Sequence, residues 1–213
     1  MYTPQQMQYV GGMRRTNEDA ILTRQKLLET ALEEFVRVGY ERATLQQIAQ
    51  NAGMTRGAVY HHFASKAQIF SELVHDTSQE LDALIAQLRV QGVSAQEQLR
   101  YVLVGIIRHL AKDSRYEAIA RLILLETDGH SDLENVRKTL AARRQRQKQQ
   151  LIQLFTSSQQ RGELYPGLEA ATAAEAVLIY QQNLHRHWIS FRSFSTGQQL
   201  EDLVDILLRG IFI

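Results

Sequence analysis

Cysteine is absent from the chain, which excludes disulfides, thiolate metal sites and thiol redox chemistry and suits the cytoplasm. Proline occurs only twice, so little interrupts helices. No apolar run reaches the roughly 18 uncharged residues of a membrane span. The start MYTPQQMQYVGGM also lacks the basic-then-apolar order of a signal peptide, so no membrane partner is expected. No segment alternates polar and apolar residues strictly over strand length between turn signals, and essentially no sheet is expected. Histidines form no zinc motif: His61 and His62 are adjacent, His185 and His187 face different ways on a helix, and Gly129 separates Glu126 from His130. With no nucleophile and base in evident register, the sequence points away from an enzyme, and no catalytic residue, metal or cofactor is expected.

Acid is also missing locally. The formal net charge is +1, yet no Asp or Glu falls between Arg42 and Ser71, where Arg42, Arg56 and Lys66 lie. A second acid-free stretch runs from Asn135 to Gly162 and holds RKTLAARRQRQKQQ. Such a run is most often the solvated face of a long helix, and that reading is preferred here over a second nucleic-acid surface.

What is present reads as all-α. Ser or Thr three residues before Glu or Gln marks helix starts at Thr44/Gln47, Ser65/Gln68, Ser94/Glu97, Ser131/Glu134, Thr172/Glu175 and Thr196/Gln199. Apolar residues recur at helical spacing after each. About nine helices are expected: Glu18–Val38, Leu45–Asn51, Arg56–His62, Lys66–Arg89, Ala95–Lys112, Arg115–Glu126, Asp132–Arg161, Ala173–Phe191 and Gly197–Arg209. Residues 1–12 read as a disordered extension or as foreign to a natural start at Met13. Residues 13–64 read as a three-helix DNA-binding domain, and 65–213 as a larger bundle for ligand binding and dimerisation.

The stretch TLQQIAQNAGMTRGAVYHHF, 44–63, is the most informative. Gly39 and Gly53 stop two helices, Thr44 and Thr55 cap the next two, and AGMT forms the short turn of a helix-turn-helix. At 100° per residue Val59 and Phe63 share one side of the third helix, whereas Arg56, Gly57, Tyr60 and His61 span an arc of roughly 140° away from it. An arginine, a residue without a side chain, and hydrogen-bonding rings on such an arc suit a DNA major groove, with the two capped helix starts adding amides for phosphate.

The segment GYERATLQQIAQNAGMTRGAVYHHFASKAQIF, 39–70, closely resembles the N-terminal domain of TetR-family transcriptional regulators. The resemblance implies that Arg56, Gly57 and His61 face bases and that Thr44, Thr55, Tyr60, His62 and Lys66 contact backbone. Further on, RGELYPGLEAATAAEAV and HWI look like multidrug-efflux repressors of the AcrR and TtgR type.

On the last helices, Leu200, Leu203, Val204, Leu207, Leu208 and Ile211 form a stripe, and Tyr180 and Leu184 belong to a helix apolar around much of its circumference. A pairing of these helices in a homodimer is expected, as the resemblance implies, and a two-fold protein suits palindromic double-stranded DNA. Tyr101, Arg121, Glu126 and Trp188 stand among apolar residues of the middle helices and are candidates for a ligand cavity. The expected function is therefore a homodimeric, ligand-responsive transcriptional repressor, which the resemblance extends to a multidrug-efflux operon released by a small lipophilic inducer. The rival reading is a TetR-like DNA-binding protein with no inducer, architectural or regulated by a protein partner.

Overall fold

Helices α1 (Pro4–Val38), α2 (Leu45–Asn51), α3 (Arg56–His62) and the start of α4 (Lys66–Leu88) build the N-terminal unit of the computed structural model. The structure describes residues 4–88, 90–192 and 197–213, with side chains from 18 onward. The remaining helices are α5 (Ala95–Lys112), α6 (Ser114–Glu126), α7 (Glu134–Gln160), α8 (Ala170–Phe191) and α9 (Gly197–Arg209), with a 3-10 turn at Ser131–Leu133. The only pairing of extended backbone among the described residues is an isolated bridge between Leu164 and Phe212, so the all-α expectation holds.

Two compact units divide the chain, Met1–Leu73 and Val74–Ile213. The division falls later than the expected 64/65 boundary because Ile69, Phe70 and Leu73 of α4 are buried in the N-terminal core. There Phe35, Tyr40 and Phe70 form a ring cluster with centroids 5.4 to 6.0 Å apart, an arrangement worth ~0.5 to 1.5 kcal/mol per pair beyond burial. Gly39 and Gly53 both take positive φ, 85° and 68°, as helix-ending glycines do. Glu34, 1% exposed, accepts from Arg37 and from Asn51 Nδ2 at 3.0 Å, and so ties α2 to α1. Arg24 pairs with Glu72 and lies over the Phe63 ring at 5.1 Å, a contact the sequence reading did not anticipate.

At the amino end, α1 begins at Pro4 rather than near Glu18. Proline at a helix's first position loses no hydrogen bond.

In the second unit α5 contributes Leu99, Leu103, Ile106, Ile107 and Leu110 to one core. On α8 the small residues Ala170, Ala173 and Ala174 are buried, which lets α8 pack closely against α7, its most extensive partner. After α9 the chain turns back. Tyr165 N donates to Ile211 O at 3.1 Å and Ile213 N to Glu163 O at 3.0 Å, while the Phe212 ring lies 5.8 Å from that of Phe155.

Local capping signals fare unevenly. Thr44/Gln47 and Ser94/Glu97 form complete reciprocal boxes. Ser65 caps α4, but Gln68 Oε1 accepts from Ala64 N instead of the cap residue. Ser131 opens the 3-10 turn, and α7 starts at Glu134 without a side-chain cap. Thr172 lies inside α8, whose start is drawn back to Ala170 by core burial, and Glu175 pairs with Arg144 and Lys148. Asp113, not recognised beforehand, caps α6 through Tyr116 N at 2.9 Å. The Thr196/Gln199 signal rests on Thr196, outside the described residues.

Candidate nucleic-acid interface

Thr55 sets α3: its Oγ1 accepts from Ala58 N at 3.2 Å, and Val59, fully buried, pins the inner face. With that face fixed, helix geometry leaves Arg56, Gly57, Tyr60 and His61 exposed, as expected. Arg56 lies over the Tyr60 ring at 5.2 Å and donates to its Oη at 3.2 Å. A Cβ on Gly57 would meet only Thr55 Oγ1, at 3.9 Å, so nothing inside the protein requires glycine there. His62 is half-buried beside Phe63, and burial, then the neighbouring His61 and Arg24, hold its pKa below the usual imidazole value.

Two backbone-contact candidates are otherwise engaged. Lys66 Nζ donates to the carbonyl oxygens of Tyr40 at 2.7 Å, Glu41 at 2.7 Å and Ala43 at 3.2 Å. An ammonium has three protons, and Lys66 commits them to the turn after α1. Thr44 Oγ1 donates to Gln47 Oε1 at 2.7 Å within its capping box; its contribution is to orient the α2 amides. Arg42 Nε likewise donates to Val38 O. Thr44, Arg56, Tyr60, Ser65 and Lys66 line one shallow groove of about 470 Å³, at whose edge stands Glu41, just before the acid-free stretch.

Four of the six cations in the second basic run pair with carboxylates of the chain. Lys138 pairs with Glu134, Arg143 with Asp82, and Arg144 and Lys148 with Glu175, which supports the solvated-face reading.

The expected dimer stripe is only partly available. Leu184, Leu200, Val204, Leu208 and Ile211 are buried in the chain's own core, and Ile211 follows α9 instead of continuing it. A hydrophobic stripe is covered by the nearest apolar surface, which here is chiefly α5. Tyr180, Leu203 and Leu207 remain half-buried at the core's edge, with Tyr180 Oη donating to Leu203 O at 2.6 Å. Beside them Ile179, Phe191 and Ile206 are exposed.

None of the four ligand candidates lines either of the two larger cavities. Tyr101 faces outward on α5; Arg121 donates to Ile189 O at 2.8 Å, near the end of α8; Glu126 pairs with His130 at 3.1 Å; and Trp188 packs on the core. The cavities lie elsewhere. One of about 710 Å³ is lined by α4, α5, α7 and α8, with Leu99, Leu103, Ile106, Leu151 and Val177 set against Gln98, Gln147 and Gln181. A second, of about 490 Å³, shares Gln147, Leu178 and Gln181 with it and adds Tyr116, Arg143 and His185. The signal for these residues lay in QKQQLIQLF, 147–155, whose Gln147, Gln150, Leu151 and Leu154 recur at helical spacing inside the acid-free stretch.

Residues 27–73 match the family described as bacterial regulatory proteins, tetR family. The chain is 29% identical over 196 residues to the HTH-type transcriptional regulator TtgR of Pseudomonas putida, covering 92% of this chain and 89% of that protein. It is 36% identical over 112 residues to the probable acrEF/envCD operon repressor of Escherichia coli, covering 52% and 50%. The crystal structure of NalD, the secondary repressor of the MexAB-OprM multidrug efflux pump in Pseudomonas aeruginosa, superposes with a TM-score of 0.81 at 26% identity over 92% of this chain and 98% of that one. These similar proteins are transcriptional regulators, not enzymes.

Proposed function

We propose that this TetR-family chain, related to repressors of multidrug efflux, acts in the cytoplasm as a homodimer that binds a palindromic operator through α3 and is released by a small lipophilic inducer. The observation that carries the reading is the exposed α3 arc. Arg56 supplies a fork of donors for a guanine edge, Gly57 admits the backbone, Tyr60 and His61 offer hydrogen-bonding rings one turn on, and His62 reaches phosphate. Tyr180, Leu203 and Leu207, extended by the exposed Ile179, Phe191 and Ile206, form the surface for the second copy, which sets two α3 helices about one DNA turn, ~34 to 36 Å, apart or somewhat more.

Release follows from differential binding. A ligand in the cavities, where Leu81 and Ile85 of α4 stand in the lining, favours a conformation whose reading heads no longer match the operator, with a coupling of ~1 to 3 kcal/mol. Selection of binding sites from random DNA tests the first half and should return an inverted repeat. Operator binding titrated with lipophilic compounds tests the second; affinity unmoved by every compound would favour the inducer-free reading.

A further inference from the structure

We propose, on the ligand-responsive reading above, that Gln98 is the residue through which an occupant of the first cavity acts on α4. Its side-chain amide fastens the carboxyl end of that helix and also stands in the cavity wall.

The last carbonyls of a helix have no partner within it. At the end of α4 the need is met from α5: Gln98 Nε2 donates to Leu88 O at 3.1 Å, and Gln98 Oε1 accepts from Val90 N at 2.8 Å. Both bonds come from one planar amide, so the Leu88 carbonyl and the Val90 amide are positioned together. Gln98 is itself firmly placed, one position after Glu97, whose reciprocal cap with Ser94 opens α5. The Leu88 side chain is held as well. A Cβ on Gly105 would come within 2.5 Å of Leu88 Cδ1 and 2.9 Å of Cδ2. Glycine inside a helix costs ~1 kcal/mol relative to alanine, and here it leaves the notch into which Leu88 packs.

The same elbow borders the cavity. Ile85 and Val90 stand in the lining beside Gln98, with Leu99, Val102 and Leu103 of α5. Among the described lining residues, Gln98 alone bonds the end of α4 through its side chain. The amide keeps one N–H and one lone pair beyond its two bonds. An occupant's polar group therefore engages Gln98 without first breaking the link, and a displacement of Gln98 or Val90 passes to Leu88. Toward its start α4 supplies Ile69, Phe70 and Leu73 to the N-terminal core. Without the link, the cavity wall would adjust to an occupant while α4 kept its place.

The test uses the full chain, the operator selected from random DNA, and a neutral fluorescent probe, N-phenyl-1-naphthylamine. Operator affinity is measured without probe and at probe saturation, so that changes in probe affinity drop out, and amide exchange at 85–88 is followed in parallel. In the wild-type chain saturation should weaken operator binding ~5- to 150-fold and alter that exchange. In Gln98→Leu the factor should fall below about twofold, with exchange indifferent to the probe, whereas Gln147→Leu, which removes an amide from the same cavity and leaves the link, should keep most of it. Gly105→Ala, which displaces Leu88 from its notch, should also lower the factor, and it decides the outcome if Gln98→Leu does not fold. Release from Gln98→Leu as full as from wild type overturns the proposal and leaves the ligand-responsive reading intact. So does an equal loss in Gln147→Leu, because the polarity of the cavity and not the link would then matter. A probe that does not bind, or that binds the wild-type chain without altering the end of α4, also overturns the proposal; release by another lipophilic compound would still uphold the reading beneath it. If no compound of any kind affects operator binding, both fail.

Discussion

Lys66 Nζ sits 4.5 Å from the centroid of the Tyr40 ring while donating to the Tyr40 carbonyl at 2.7 Å. A cation so placed joins α4 to the turn after α1. Lys66→Ala should therefore lower thermal stability by about 1.5 to 3 kcal/mol, read from denaturant or thermal melting. Operator affinity of the folded fraction should keep its salt dependence. A slope of log K against log salt reduced by about one unit, with stability intact, would return Lys66 to the phosphate contacts.

The α3 arc separates stability from binding. Arg56 is exposed and stacks on the exposed Tyr60, so Arg56→Ala should melt like wild type yet lose about 1 to 3 kcal/mol at one base position of the operator. Gly57→Ala is sharper because its two effects have opposite sign. The open space around the built Cβ and the helix preference of alanine should raise stability by up to about 1 kcal/mol, while DNA binding weakens. A Gly57→Ala protein that binds DNA like wild type would remove this surface from the groove.

For the dimer, position on α9 decides the outcome. Ile206 is 68% exposed and Val204 fully buried, two residues apart on opposite faces. Ile206→Asp should yield a folded monomer by analytical ultracentrifugation, whereas Val204→Asp should unfold the C-terminal unit by burying an unpaired charge. An Ile206→Asp chain that sediments as a dimer places the interface elsewhere.

Acid should destabilise the free protein. The pKa of His62 is lowered in the folded state, first by burial and then by His61 and Arg24. The unfolded chain, titrating near the usual value of about 6.5, takes up a proton that the folded chain refuses. Stability is thus full above that value and is lost as pH falls through it toward the lowered one. His185 shifts in the same direction, with burial as its largest cause. Melting temperature should fall between pH 7.5 and 5.0, and His62→Gln should shrink the fall. An unchanged or larger fall in that variant would show that His62 does not carry this proton linkage.

Much of the fold was legible because its signals are local. Thr44 and Ser94 announce helix starts through bonds that span three residues, and the ends of α2, α3 and α5 follow from such signals. Where burial competed with a local signal it prevailed: the small residues from Ala170 onward extended α8 past Thr172, and Leu133, fully buried, turned Ser131 into part of a 3-10 turn. Cavity residues were missed for a related reason. Gln147 looks like part of the polar face of a charged helix, and only the helices packed beside it set it half-buried along a cavity.

By itself the sequence determined the helical class, the helix-turn-helix and the outward arc of α3, since a seven-residue helix with one buried valine leaves its other faces no choice. It determined, too, that the α9 stripe had to be covered. Only the tertiary structure decided by what: α5 is the main partner of α9, whose Leu200, Val204 and Leu208 join the same core, and the carbonyls after α1 take Lys66. Hydrophobic attraction has no direction and an ammonium accepts any oxygen within reach, so the residue types state a need, and the packing of distant segments selects the partner.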